Sequence, residues 1–268
     1  MTEADAIDRV DEPVTIDRLV EEFADLGIAV GDTIICHASL SSIGWVSGDA
    51  PAVVDALRTV VSEDGTLIMP THTPQYTDPE AWSSPPVPAS WVDTIKSTRP
   101  PYRPAVTPTR GIGAIAECFR TYPDVHRSNH PTYSFAVWGA SAETIVEEHG
   151  FDHPLGEGSP LSAVYERDGT VLMLGTEYGT NTSLHLAEYR ADIELDQFES
   201  TAPIAHDGSR RDITFEEIET STDDFEEVGS AFEEAHDPTI GTVGAATTRL
   251  IDQRSLVDFA AEWFSENR

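Results

Sequence analysis

The strongest constraint on the fold is the way helical periods alternate with short, unbroken apolar runs in the first half of the chain. Thr15 to Leu26 carries Ile16, Leu19, Val20, Phe23 and Leu26 near a 3.6-residue spacing, the pattern of an amphipathic helix. Gly31-Asp32 then turns the chain into Thr33-Ile34-Ile35-Cys36, a short run that is apolar at consecutive positions. Ala52 to Val61 returns to the helical period, with Val53, Val54, Leu57, Val60 and Val61 inward. Thr66-Leu67-Ile68-Met69 is a second such run, opened by Gly65 and stopped by Pro70. A strand without polar alternation is buried on both faces, and a helix between two such strands supplies the crossover a parallel pair requires. The expected fold is therefore α/β, with a mainly parallel central sheet flanked by helices.

The rest of the chain extends this pattern. Tyr133 to Trp138 and Thr170 to Leu174 read as further strands, and Ala114 to Tyr122, Ala140 to His149 and Pro160 to Arg167 as helices. Beyond Asp192, Phe198 to Ala205 and Asp212 to Ile218 flank His206-Asp207-Gly208, the signature of a C-terminal antiparallel hairpin. Phe225 to Ala235 and Gln253 to Ser265 read as closing helices. Between 74 and 108 stand nine prolines, at 74, 79, 85, 86, 88, 100, 101, 104 and 108, which mark a long Pro-rich excursion. No repeat or linker divides the 268 residues, so one domain is expected over 1–268, with a hairpin-and-helix subregion at about 193–268.

Charge excludes several classes of function. The chain has 48 acidic and 16 basic residues, a net charge of −32, and Lys96 is its one lysine. Such a chain repels phosphate backbones and anionic membrane surfaces, so neither nucleic acid nor a membrane is an expected partner. No apolar stretch approaches the ~20 residues of a transmembrane helix, and residues 1–11 lack the order of a signal peptide. Cys36 and Cys118 alone exclude a disulfide framework and a cysteine-rich metal site. The expectation is a cytoplasmic protein with no bound metal. The acid excess reads either as a site for a cation or as a halophilic surface, since at ~1 M salt the Debye length is about 3 Å. The spread of the acids along the chain favours the second.

Ligands of open α/β sheets lie beyond the carboxyl ends of the strands. That rule selects His37 to Gly44, Pro70 to Thr73, and Gly175 to Thr182. In the last of these, Thr182, His185 and Glu188 are spaced by three and share a helix face, placing a hydroxyl, an imidazole and a carboxylate in a row. A carboxylate beside a histidine fixes its tautomer and favours its role as a base. The alternative is a helix cap plus a partly buried histidine. Residues 96–127 form a cationic island, with Lys96, Arg99, Arg103, Arg110, Arg120 and Arg127 against Glu117 and Asp124, net +4 in a chain otherwise at −36. Within it Thr107-Pro108-Thr109-Arg110-Gly111-Ile112-Gly113 opens a helix, a natural seat for an anionic ligand. The alternative is internal salt bridging. Four histidines, His37, His72, His130 and His185, also raise a metal-dependent hydrolase as a rival.

Taken together, these segments resemble the aminoglycoside 3-N-acetyltransferases. The resemblance rests on His37 to Gly44, Gly65 to Thr71, Thr107 to Gly113, Asn129 to Phe135, Pro154 to Leu161, Asn181 to Glu188, and the tail Gly241 to Gly244 with Arg254 to Phe259, in order from about residue 14 to 264. It implies an acetyl-coenzyme A-dependent N-acetyltransferase acting on the 3-amino group of a 2-deoxystreptamine aminoglycoside or a similar amine. It also implies a fold other than that of the GNAT acetyltransferases, whose phosphate motif fails at Ile115. On this resemblance Ser39, Leu40, Ser41, Thr107, Arg110, Gly111 and Gly113 would hold coenzyme A. His185 would be the base, with Glu188 and Thr182 in support. His72, His130 and Glu157 would meet the cationic acceptor, with Asp78, Glu80 and Asp93 as further acidic candidates, although His130, before Pro131, could equally pack. Some relatives carry a histidine where this chain has Glu177-Tyr178. The alternatives are an acyltransferase for an unrelated amine, or a non-catalytic coenzyme A-binding protein.

Overall fold

The computed structural model describes residues 2–268. In chain order the elements are α1 (Glu3–Ile7), α2 (Ile16–Leu26), β1 (Thr33–Ala38), α3 (Leu40–Ile43), α4 (Asp49–Val61) and β2 (Thr66–Pro70). The excursion follows, holding α5 (Val92–Thr98), then α6 (Ala114–Phe119), β3 (His126–Arg127), β4 (Phe135–Gly139), α7 (Ala142–Glu148), α8 (Pro160–Glu166) and β5 (Thr170–Leu174). The last part is α9 (Ser183–Arg190), β6 (Gln197–His206), β7 (Ser209–Ile218), α10 (Phe225–Ala235), β8 (Thr239–Val243), β9 (Ala246–Asp252) and α11 (Gln253–Asn267).

Seven strands form one sheet in the order β3-β4-β2-β1-β5-β9-β8. Its centre is parallel: β1 pairs with β2 from Thr33↔Thr66 and with β5 from Ile34↔Thr170. Antiparallel strands are added on both sides, β4 on β2 and β9 on β5. The strand expected at 133–138 is thus an antiparallel neighbour of β2. Period-two alternation sends Ile34, Cys36, Leu67 and Met69 to one face, under α2, α4 and α6. Ile35, Ile68, Val171 and Met173 go to the other, under α8, α9, α10 and α11. Burial on both faces is why these strands read as unbroken apolar runs.

The expected hairpin is present as a separate two-stranded sheet, β6 with β7. It is tied to the Pro-rich excursion: the Tyr102 N–H donates to Pro203 O at 2.7 Å, and the Ala205 N–H donates to Tyr102 O at 3.1 Å. Arg210 on β7 donates to the carbonyls of Lys96, Ser97 and Arg99 at the end of α5.

Candidate active site

The carboxyl ends of β1, β2 and β5 open into a cleft of about 760 Å³, within the usual size of a small-molecule site. Its lining includes His37, Ser39, Leu40 and Ser41 after β1, Gly111 to Ala114 at the start of α6, and Thr176, Thr180 and Thr182 after β5. Local packing fixes these segments against each other. Gly175 has φ +65°, and a Cβ there would lie 2.4 Å from Ser42 Cβ, so the β1 and β5 loops meet only through glycine. Ser42 Oγ donates to Gly175 O at 2.9 Å and locks that contact. Gly113, at φ +94°, brings the start of α6 to within 3.4 Å of Ala38 O, measured from its ideal Cβ. The first residues of α3 and α6, Leu40 and Ala114, therefore both line one cleft.

Thr182 closes this lining at the N-cap of α9, and its hydroxyl makes no capping hydrogen bond. One turn on, His185 Nδ1 and Glu188 Oε2 are 2.5 Å apart. Glu188 has no exposed side-chain surface, whereas His185 keeps 15% of its own. Because Glu188 also accepts from the Ser221 N–H at 3.0 Å and from Arg268 Nη1 at 2.5 Å, it is a fully engaged acceptor. The proton of the imidazole then sits on Nδ1, and the Nε2 lone pair is left as the base. Of the expected row, the imidazole and the carboxylate are in contact, with Thr182 one turn before them at the helix start.

Two further histidines stand close enough to feel the charge of His185. Burial, with His185 second, lowers His37 to about 4. Burial, followed by His185, His37, His149 and Arg127, lowers His72 to about 3. Both are neutral at pH 7, and both carry a buried Nε2 without a partner. His72 packs edge-on against Tyr133 and Phe135, each with ring centroids at 5.3 Å. Cys36 also borders the cleft, but burial pushes its thiol up to about 12, so it is no nucleophile.

Several expected ligand contacts are instead occupied within the protein. His130 is fully buried outside the cleft lining: its Nδ1 accepts from the Tyr133 N–H at 3.0 Å, and its Nε2 faces Phe151 O at 3.0 Å. Glu157 forms a fork with Arg190 at 2.7 and 3.0 Å and accepts from Ser162. Asp78 and Glu80 share Lys96, each at 2.9 Å. Asp93 lies exposed in the first turn of α5, outside the cleft lining. Thr107 is buried, its hydroxyl accepting from the Arg103 N–H at 3.0 Å and its carbonyl from Arg127 at 2.5 Å. The tyrosine in the Glu177-Tyr178 departure is likewise buried, against Gly229 of α10.

The cationic island divides in the same way. Lys96 is paired as above, and Arg99 donates to the carbonyls of Gln75 and Thr77. Arg120 grips Glu117; burial alone would raise that carboxyl, but hydrogen bonds from Arg120 and Thr109 hold it down at about 2. Arg127 is buried and ties Thr71, Pro104 and Thr107 together. Among the described residues, the guanidinium groups of Arg103 and Arg110 alone in the island have no partner, and Arg110 directly precedes the cleft-lining Gly111. Glu217 gave no signal in the sequence. It is buried on β7 with Oε1 unpartnered, and burial raises its carboxyl.

Comparison with known proteins decides the family. The aminoglycoside 3-N-acetyltransferase model matches residues 35–265. The chain belongs to the aminoglycoside 3-N-acetyltransferase family. It is 44% identical over 256 residues to the SPbeta prophage-derived aminoglycoside N(3')-acetyltransferase-like protein YokD of Bacillus subtilis, covering 95% of this chain and 94% of that one. It is 34% identical over 281 residues to aminoglycoside N(3)-acetyltransferase VII of Streptomyces paromomycinus, covering 99% and 96%. The crystal structure of YokD superposes with a TM-score of 0.95 at 42% identity, covering 98% of both chains. The structure of AAC-IIIb in binary complex with CoASH superposes with a TM-score of 0.85 at 30% identity, covering 95% of this chain and 97% of that one. The fold is that of this family.

Proposed function

We propose that this family member transfers an acetyl group from acetyl-coenzyme A to the 3-amino group of a 2-deoxystreptamine aminoglycoside or a similar amine. The observation that most supports this reading is the contact between His185 and the buried Glu188, one turn beyond the cleft-lining Thr182. In this reading His185 Nε2 takes a proton from the attacking amine, and Glu188 holds the imidazole in the required tautomer. The amine nitrogen bonds to the carbonyl carbon of the thioester, the C–S bond breaks, and the thiolate leaves to be protonated. The Thr182 hydroxyl or a cleft-facing N–H would stabilise the oxyanion formed on the way.

Coenzyme A, seen bound to the relative AAC-IIIb, fits a cleft lined by the first residues of two helices. Ser39, Leu40, Ser41, Gly111 and Gly113 would line it, and the guanidinium of Arg110 would meet a phosphate. Thr107 would act only by shaping the loop. His72 lies outside the cleft lining, but it is near enough to feel the His185 charge and would face the acceptor from that side, with Glu217 as a further carboxylate. A single domain over 1–268 and a cytoplasmic location complete the proposal, the latter because both cysteines are free thiols. No helix among the described residues is long and apolar enough to cross a membrane. The acid excess we read as a surface adapted to high salt, because among the described residues Glu188 and Glu217 are the only buried acids.

The test is an acceptor panel with acetyl-coenzyme A, reading released thiol and locating the acetyl group in the product. Acetylation at the 3-amino group supports the proposal. Turnover confined to unrelated amines favours the broader acyltransferase. Coenzyme A binding without turnover of any acceptor would make the protein a binding protein.

A further inference from the structure

The reading of His185 as a base leaves Arg268 unexplained, eighty residues from Glu188 in the chain and in direct contact with it. Every part of its guanidinium is committed. Nη1 donates to Glu188 Oε1 at 2.5 Å, Nε and Nη2 fork onto Asp224 at 2.7 and 2.5 Å, and Nη2 also reaches Ser221 O at 3.2 Å. The guanidinium carbon lies 3.9 Å from the centroid of the Phe264 ring, which is fully buried and stacks on Phe225, itself packed against His185. Only 18% of the side chain is exposed. The carboxylate that orients the base is therefore itself held by a cation, and that cation is anchored from behind by a second carboxylate.

We propose that Arg268 is a positioning residue for the transfer reaction: it compensates the buried charge of Glu188, so that the His185–Glu188 pair stays free of an extra proton at neutral pH. This inference rests on the proposed role of His185 and adds a residue to it.

The physical argument turns on where one proton resides. A carboxylate with no exposed surface is costly to keep ionised unless a cation and hydrogen bonds support it. Without Arg268 the field at the pair becomes more negative by one unit charge. The pair then takes up a proton at higher pH, whether on Glu188 or on His185 Nε2. Either outcome removes the base: a protonated Glu188 no longer accepts from Nδ1–H, and an imidazolium has no lone pair.

The other titratable groups facing the pair do not replace Arg268. His37 and His72 are neutral, lowered by burial. The Tyr133 and Tyr189 phenols are raised, chiefly by burial and then by Glu217, so they too are neutral. Glu217 would add negative charge, and its own carboxyl is raised by burial. Among the described residues Arg268 is the one arginine or lysine with a hydrogen bond to Glu188.

Two charge changes of opposite sign separate this role from simple packing. Arg268→Met should raise the acid limb of kcat/KM, and the titration of the His185 imidazole followed by ¹⁵N NMR, by about one pH unit. Activity on the acid limb should fall up to about tenfold and recover as the pH is raised past the displaced limb. Asp224→Asn removes a negative charge behind Arg268 and should move both titrations down by about half a unit. Arg268→Lys, which keeps the charge, should hold them near the parent values. An unchanged His185 titration in Arg268→Met would overturn the proposal, as would an upward shift in Asp224→Asn, because loss of packing moves both variants the same way. If Arg268→Met does not fold, Asp224→Asn decides: a downward shift supports the proposal, and an unchanged titration overturns it. If the parent kinetic limb does not follow the His185 titration, the assignment of the base fails, and the charge effect of Arg268 is still judged by NMR.

Discussion

Lowering the pH from 7.5 to 5 should destabilise this protein well before its carboxylates titrate. The reason is a set of histidines folded as neutral groups. His37 and His149 are lowered to about 4 and His72 to about 3, in each case chiefly by burial, while His130 is held well below its ordinary value by the same cause. In the unfolded chain each titrates near 6.5. Below pH 6.5 the unfolded chain therefore binds protons that the folded protein refuses, and stability falls with pH. Raising the pH restores it, and the gain levels off above about 7.5, where neither state is protonated. Each histidine contributes a slope of up to about 1.4 kcal/mol per pH unit. His37, His72 and His149 together approach about 4 kcal/mol per unit near pH 5, a large fraction of a typical folding stability of about 5–15 kcal/mol. An opposing effect exists, since protonating acids relieves the self-repulsion of a chain at −32. That relief belongs near pH 4, where most carboxyls titrate, so the histidines control the window above 5. Urea unfolding at fixed molar salt measures the slope. His149→Gln should reduce it by about 1.4 kcal/mol per unit, with an offset for the lost hydrogen bonds to Ser128 and Pro154. Stability that is level or rising as the pH falls from 6.5 to 5 would refute the neutral-histidine assignment.

Two other perturbations bear on the proposed cleft and surface. Arg110→Glu should weaken coenzyme A binding by roughly ten- to a hundredfold, the worth of a charge-assisted phosphate contact, while leaving the fold intact. Calorimetry at fixed salt gives the answer, and unchanged affinity would make that guanidinium a surface charge only. Removing salt from molar to ~10 mM lengthens the Debye length from about 3 to about 30 Å and should lower the thermal midpoint. A midpoint that holds or rises would sink the high-salt reading.

The helices α2, α4, α10 and α11 and the strands β1, β2 and β5 were legible because each carries its own period, set by burial on one face or two. The β6–β7 hairpin announced itself through His206-Asp207-Gly208. The β8–β9 hairpin carries a weaker signal, Thr239 to Val243 and Thr247 to Ile251 being rich in β-branched residues around Gly244-Ala245. His185 and Glu188 were legible because a helix turns a spacing of three into a contact. Arg268, Ser221 and Asp224 reach the same site through tertiary packing, which leaves no spacing to read. The cationic island shows the same limit. Its charge count is plain, but only the folded loop reveals that Arg120 serves Glu117 and Arg127 serves three carbonyls, leaving the guanidinium groups of Arg103 and Arg110 without a partner among the described residues. His130 and Glu157 have residue types suited to a cationic ligand, but the fold engages both in internal hydrogen bonds.

The most direct test of the central claim is kcat against pH for His185→Ala and Glu188→Gln with acetyl-coenzyme A and an accepted amine. General-base help is worth about 10²–10⁴-fold, so His185→Ala should lower kcat by that order and abolish the acid limb, with coenzyme A affinity little changed. Glu188→Gln should cost less, because it removes orientation and charge but leaves the base. Near-normal turnover in His185→Ala, with the acid limb intact, would contradict the account and move the base elsewhere.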